Sequence, residues 1–241
     1  MLIDAAARGA GSPLLLVGPL GGTMALWGAF ADDLAERYRV IVFDPRGVGR
    51  SSPAPITTTT RAMARDARAV LDRFAIDRAH VYGESLGGMV ASWLAHDEPA
   101  RVDRLILAST VPSPRGLSLR AIATLAKAAR CIAGRAPERC MAQALVTRPI
   151  DPDVDRVLRA TPPRRRELAI LALAAARHRA PHLDRDALLL FGARDPLAEI
   201  EDLARDCPRG VVERVEDAGH ALTLDRPHEL AARARAYLSQ A

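Results

Sequence analysis

Short apolar runs alternate along the chain with longer stretches in which apolar residues recur at helical spacing. The runs are Leu14–Val17, Val40–Phe43, His80–Tyr82, Leu105–Ala108, Ala187–Phe191 and Val211–Val215. Runs this short, closed by Gly, Pro or Asp, predict strands buried on both faces. Helical spacing covers Ala25–Arg37, Thr60–Phe74, Leu86–His96, Ile200–Cys207 and His228–Leu238. The alternation predicts an α/β fold with a mostly parallel central sheet and helices on both faces.

The alternation stops between Val111 and Ala180. That stretch is rich in Ala, Leu and Arg, and Pro137, Pro149, Pro152, Pro162 and Pro163 divide it into about four helical pieces. The pattern predicts an α/β core over 1–110 and 181–241, with a helical cap inserted over 111–180. A pair of buttress helices without ligand contact is the alternative for the insertion.

Composition narrows the picture. The 241 residues are 49% hydrophobic and 26% charged, values of an ordinary globular chain long enough to bury a core without staples. The net charge is +5, and Lys127 is the one lysine among 34 basic residues. The arginines are spread among acids and carry no nucleic-acid-binding motif. No run of about 18 apolar residues predicts a membrane span. Residues 1–12 lack the apolar core of a secretion signal, so a cytoplasmic location is expected. Cys131, Cys140 and Cys207 form neither a disulfide framework nor a metal signature. Cys131 and Cys140 are expected as thiols, with pairing the alternative.

Candidate chemistry begins at Gly83-Glu84-Ser85-Leu86-Gly87. This is G-x-S-x-G placed between a strand and a helix, where a sharp turn lifts the serine above the sheet. The Leu86 amide, at the helix start, is a donor for an oxyanion. A serine needs a base. Among six histidines, His220 follows the last strand and reaches the same sheet edge. His178 and His182 lie where substrate could touch them, and His228 falls on the surface. The base needs an acid to orient it. Asp195, just past the strand Ala187–Phe191, is preferred over Glu216 and Asp217, which are too near His220 in sequence. The loop Gly18-Pro19-Leu20-Gly21-Gly22-Thr23 supplies the second oxyanion donor, Leu20, with Gly21 next. Asp44–Ser51 resembles a phosphate loop but lacks its Lys-Ser/Thr ending, and reads as a structural turn. The substrate-contact candidates are Gly21, Trp27 and Leu222, with Leu119 and Ile122 in the insertion. Further apolar wall candidates there are Leu117, Leu125 and Ile132, with Arg120, Arg130 or Arg135 as carboxylate anchors.

Leu14–Gly22, Asp44–Ser51, Gly83–Gly88, Gly192–Asp195 and Gly219–Pro227 together resemble the α/β-hydrolase superfamily. The loop Gly18–Thr23, the Trp27 that follows, and Ser85–Met89 leading to Trp93 are similar to the 3-oxoadipate enol-lactonase and small carboxylesterase branch. The resemblance implies the α/β-hydrolase fold, with Ser85 as nucleophile, Asp195 as acid and His220 as base. It implies a serine hydrolase of a carboxylic ester or lactone, needing no cofactor or metal; the apolar wall candidates of the insertion predict a small to medium, largely apolar substrate. The N-terminal hairpin of the family looks shortened, which would leave a sheet edge that a second copy could cover. Asp225-Arg226-Pro227 stands where Glu-x-Pro is commoner. Rival readings are cyclisation, lyase action or C–C cleavage on the same fold, acyl transfer or perhydrolysis, and a non-catalytic ligand receptor.

Overall fold

The computed structural model describes residues 1–110, 137–160, 164–197 and 200–240. Seven strands form one sheet: β1 (Ala5–Arg8), β2 (Ser12–Val17), β3 (Tyr38–Phe43), β4 (Ala79–Glu84), β5 (Val102–Ala108), β6 (Ala187–Gly192) and β7 (Gly210–Val215). Their order is β1-β3-β2-β4-β5-β6-β7. Only β1 runs antiparallel, against β3; the remaining pairs are parallel.

The helices are α1 (Gly28–Ala35), α2 (Thr60–Arg73), α3 (Leu86–Asp97), α4 (Pro137–Leu145), α5 (Pro152–Ala160), α6 (Arg165–Ala176), α7 (Ile200–Asp206), α8 (Leu222–Asp225) and α9 (Pro227–Leu238). Helices α4 to α6 fall between β5 and β6. Among the described residues, no helix is long and apolar enough to cross a membrane.

Alternation along the strands sorts the core into two layers. Leu15, Val17, Ile41, Phe43, Val81, Leu105, Leu107, Leu189 and Phe191 face α2 and α3. Their neighbours Leu14, Leu16, Val40, Val42, Tyr82, Ile106, Leu188 and Leu190 face α1 and α9. Successive side chains of a strand point to opposite faces, so an all-apolar strand needs helices on both sides. Burial on both faces, at about 25 cal/mol per Å² of apolar surface, is the main force holding the layers together.

The shortened N-terminal hairpin is met, and three other expectations need correction. The family hairpin is reduced to β1, which pairs with β3 and not with its sequence neighbour β2. Ala5-Ala6-Ala7-Arg8 has no apolar run to announce it. The strand β7 is an edge, not a doubly buried strand: Val211 and Val212 are exposed. The helical stretch expected from Ala25 opens as a 3-10 turn, Met24–Trp27, before α1. Cys140 is disulfide-bonded rather than a thiol, Cys207 is free and buried, and Cys131 lies outside the described residues.

The turn Asp44–Ser51 is structural, as expected. The Asp44 carboxylate accepts the amides of Met24 (2.8 Å) and Arg50 (3.2 Å), and Arg46 forms a paired contact with Asp66 at 2.6 and 2.7 Å. It thereby pins the end of β3 to the entrance of α1.

Candidate active site

Strand β4 ends at Glu84 and α3 begins at Leu86, so the whole reversal falls on Ser85. Its backbone lies at φ 56°, ψ −117°. For a residue with a Cβ this region costs on the order of 1–3 kcal/mol and persists only where the surroundings enforce it. They do so here through close approach. A Cβ on Gly83 would lie 2.5 Å from the Gly87 carbonyl oxygen and 2.7 Å from the Gly88 Cα. A Cβ on Gly87 would collide with the carbonyls of Val17 and Gly18. The Ser85 amide donates to the Ala108 carbonyl at 2.8 Å, fastening the turn to β5.

The same packing defines the neighbourhood of Ser85. Gly87 presses on the end of β2, so the loop Gly18–Thr23 adjoins the start of α3. Within that loop the Gly22 amide donates to the Pro19 carbonyl (3.0 Å). Leu20 is partly buried against the α2–α3 side of the core. The amides of Leu86 and Gly87 open α3, where first-turn N–H groups have no intrahelical acceptor.

His220 and Asp195 arrive from the other side. Both lie in loops after the last two strands, and those loops are packed together. The Arg194 amide donates to the Ala218 carbonyl (2.9 Å) and the Ala193 amide to the Val215 carbonyl (2.9 Å). His220 Nδ1 lies 3.0 Å from both Asp195 carboxylate oxygens, and His220 Nε2 lies 2.8 Å from Ser85 Oγ. A carboxylate only accepts, so Nδ1 carries the proton and Nε2 is left to accept from the serine hydroxyl. The His220 and Asp195 side chains are 4% and 0% exposed. Asp195 is itself held by the Leu197 amide at 2.8 Å.

Burial works against the charged imidazole of His220. The charge and hydrogen bond of Asp195, and then the charge of Glu84, outweigh it and place the pKa above the usual 6.5. Asp217, the competing acid, instead meets Arg194 at 2.5 Å.

Two buried carboxylates not foreseen in the sequence complete the surroundings. Glu84 accepts from Thr223 Oγ1 at 2.5 Å and from the Thr223 amide at 3.4 Å. Burial pushes its pKa up to about 7, against the hydrogen bonds and the His220 charge. Asp225 is fully buried and accepts the amides of Gly219 (2.7 Å) and Thr147 (3.0 and 3.2 Å). No sequence pattern announces either pairing, because Glu84 and Thr223 are 139 positions apart and Thr147 and Asp225 are 78 apart. The G-x-S-x-G match and the Asp-x-Pro after His220 drew attention to the positions but not to the partners.

The other candidates separate. Gly21 is partly exposed in the loop, with φ 71°. Trp27 is 3% exposed and packs against Phe30 and Tyr82, with ring centroids at 5.7 and 5.8 Å. Leu222 is fully buried in the same core layer. Both pack in the core layer between the sheet and α1 and α9. His178 is buried and hydrogen-bonded through Nδ1 to Thr60 Oγ1 at 2.9 Å. Burial, then the Arg179 charge, lowers its pKa to about 4. His182 is exposed, and His228 meets Asp33 at 2.8 Å on the surface. Leu119 and Ile122 lie outside the described residues, as do Leu117, Leu125, Ile132, Arg120, Arg130 and Arg135. Among the described residues, no cluster of His, Cys, Asp and Glu has the form of a metal site.

This chain is a member of the α/β-hydrolase family: the model described as "alpha/beta hydrolase fold" matches residues 12–138. A relative from Variovorax paradoxus bearing the name carbamate hydrolase RutD is 42% identical over 113 residues, 46% of this chain and 42% of that protein. The alignment thus spans less than half of that curated relative. The solved structure of a thermophilic esterase from Thermogutta terrifontis superposes with a TM-score of 0.79 at 25% identity, covering 98% of this chain and 92% of that one. Est816, described as an N-acyl homoserine lactone degrading enzyme, gives 0.76 at 25% identity, covering 98% and 96%. The family and the superposed structures together define the class of this chain as the α/β-hydrolase fold.

Proposed function

We propose that the protein is a serine hydrolase that cleaves a carboxylic ester or lactone through an acyl-enzyme. The observation that supports this most is the hydrogen-bonded chain from Ser85 Oγ through His220 to Asp195, at 2.8 and 3.0 Å, with Ser85 on a strained turn. His220 takes the Ser85 proton as Oγ attacks the carbonyl carbon. Asp195 holds the imidazole in the Nδ1–H tautomer and stabilises the imidazolium. The amides of Leu86 and Leu20 hold the oxyanion; one such donor is worth on the order of 100- to 1000-fold in rate. The imidazolium then protonates the leaving oxygen. Water, deprotonated by His220, attacks the acyl-enzyme and releases the acid and Ser85.

The esterase and the lactone-degrading enzyme among the similar structures support an ester or lactone carbonyl. A small to medium, largely apolar substrate, with Gly21 at its edge and the 111–180 insertion as a cap, completes the reading. A carbamate is the second substrate reading, favoured by the identity with the RutD relative. The same attack on a carbonyl serves both.

Incubation with a panel of p-nitrophenyl esters, acyl lactones and alkyl carbamates, followed by product mass, tests the reading. Hydrolysis of an ester or lactone is expected, seen as products that together gain the mass of water. An isomerised or C–C-cleaved product would overturn it in favour of non-hydrolytic chemistry.

A further inference from the structure

The residue before the nucleophile is a buried acid with a partner beyond the base. Glu84 is 1% exposed at the end of β4, and Ser85 follows it directly. Its carboxylate takes two hydrogen bonds from Thr223, at 2.5 Å from the hydroxyl and 3.4 Å from the amide. Thr223 stands in the first turn of α8, three residues after His220. Glu84 and Thr223 therefore link the strand that carries Ser85 to the segment that carries His220. A buried acid between two apolar core layers is costly unless its hydrogen bonds are made. The two bonds fall on different carboxylate oxygens; glutamine would accept one and hold the other contact only by donating its NH2 to the Thr223 hydroxyl, so an uncharged side chain can still bridge the two segments.

We propose that Glu84 is a positioning residue for His220: through Thr223 it keeps the imidazole in register with Ser85, and it places a second negative charge near that ring. This extends the serine-hydrolase reading and rests on it. The groups that bear on Glu84 are Thr223 and the Leu222 amide on α8, the His220 ring before them, and Tyr82, two residues back on the same face of β4. Asp195 bears on His220 from the opposite ring nitrogen. None of these is a cation except His220 when protonated. Where Glu84 is ionised, above about pH 7, its charge is therefore felt chiefly as support for the imidazolium, the form His220 takes while Ser85 is acylated.

Three variants separate the two contributions. Glu84→Gln keeps one acceptor at the site, replaces the other with a donor and removes the charge. Thr223→Val removes the hydroxyl bond and keeps the charge. Thr223→Ser restores the hydroxyl. The His220 titration is read by NMR at its ring Cε1–H, with the resonance identified by its loss in His220→Gln. This readout needs no turnover. The rate of Ser85 labelling by a fluorophosphonate is followed against pH in the same variants. In Glu84→Gln the His220 titration should move to lower pH by about half a unit or more, carrying the acid limb of labelling with it. Thr223→Val should slow labelling about tenfold, and Thr223→Ser should restore it. A His220 titration unmoved in Glu84→Gln would overturn the charge role, and with it the proposal, even if labelling fell through misfolding. Failure of the wild-type protein to label at Ser85 would instead strike the serine-hydrolase reading, while the NMR titration still judges Glu84.

Discussion

Asp225 fastens the insertion to the loop that bears His220: one carboxylate oxygen takes the Gly219 amide at 2.7 Å and the other takes the Thr147 amide at 3.0 Å. Around it the Thr147 hydroxyl donates to the Asp217 carbonyl (3.0 Å) and the Ala221 amide to the Leu145 carbonyl (3.0 Å). The segment after α4 and the loop 217–221 are thus one hydrogen-bonded unit. Asp225→Ala would leave one buried and one part-buried N–H group without an acceptor. A loss of about 2–4 kcal/mol is expected, measured by urea unfolding. Labelling of Ser85 should fall as well, since the loop that aims His220 loosens. Unchanged stability would contradict this account of Asp225.

The chain from Ser85 to Asp195 makes a graded prediction. Ser85→Ala and His220→Ala should each abolish ester turnover. Asp195→Asn should lower kcat by about 1000- to 10000-fold with modest change in KM, because the amide can present an N–H to Nδ1 and select the wrong tautomer. Steady-state kinetics checks it. A tenfold loss or less for Asp195→Asn would assign the orienting role elsewhere.

The pH dependence follows from His220. Its pKa is raised above 6.5, and only the neutral ring can take the Ser85 proton. Plots of kcat/KM against pH should therefore lose activity on the acid side, with the midpoint above 6.5. A midpoint below 6 would contradict the charge balance around His220.

Stability against pH carries a separate signature from His178. Burial lowers its pKa to about 4 in the folded chain, against about 6.5 unfolded. Between these values the unfolded chain binds more protons, so the His178 contribution to stability is complete above pH 6.5 and is lost as pH falls toward 4. The loss approaches about 3 kcal/mol at the acid end. His178→Gln should flatten that part of the stability curve in urea unfolding. Glu84 acts with the opposite sign: raised from 4.5 to about 7, it binds a proton more readily when folded. Stability falls as pH rises through that window, and Glu84→Gln should remove this fall.

Gly87 tests the turn itself. Its missing Cβ admits the carbonyls of Val17 and Gly18, so Gly87→Ala must push α3 away from β2. Since backbone is what would have to move, at least a tenfold loss of Ser85 labelling is expected along with a lower melting temperature. Peptide mass spectrometry of labelled protein reads the first and thermal unfolding the second. Native labelling rates would show that the close approach is dispensable.

Much of this was legible because local chemistry and fold agree. Strand runs such as Leu14–Val17 are apolar at every position, and a doubly covered parallel strand requires that. The turn at Ser85 is announced by its two glycines. His220 and Asp195 were legible from their places after strands, because parallel strands bring their C-terminal loops to one edge. What was not legible depends on contacts distant in sequence. Strand β1 is four residues of Ala and Arg, held by β3 rather than by its own propensity. Trp27 and Leu222 sit beside the site in sequence, yet their apolar surface is spent on the core. Glu84 reads as the variable position of G-x-S-x-G and Asp225 as the acid of Asp-x-Pro until Thr223 and Thr147 are seen against them.

The measurement that tests the central claim most directly is fluorophosphonate labelling of the wild-type protein, with the modified residue located by peptide mass spectrometry and His220→Ala run beside it. The account predicts one modified residue, Ser85, and loss of that modification in His220→Ala. A folded wild-type protein that takes no label, or takes it elsewhere than Ser85, would contradict it.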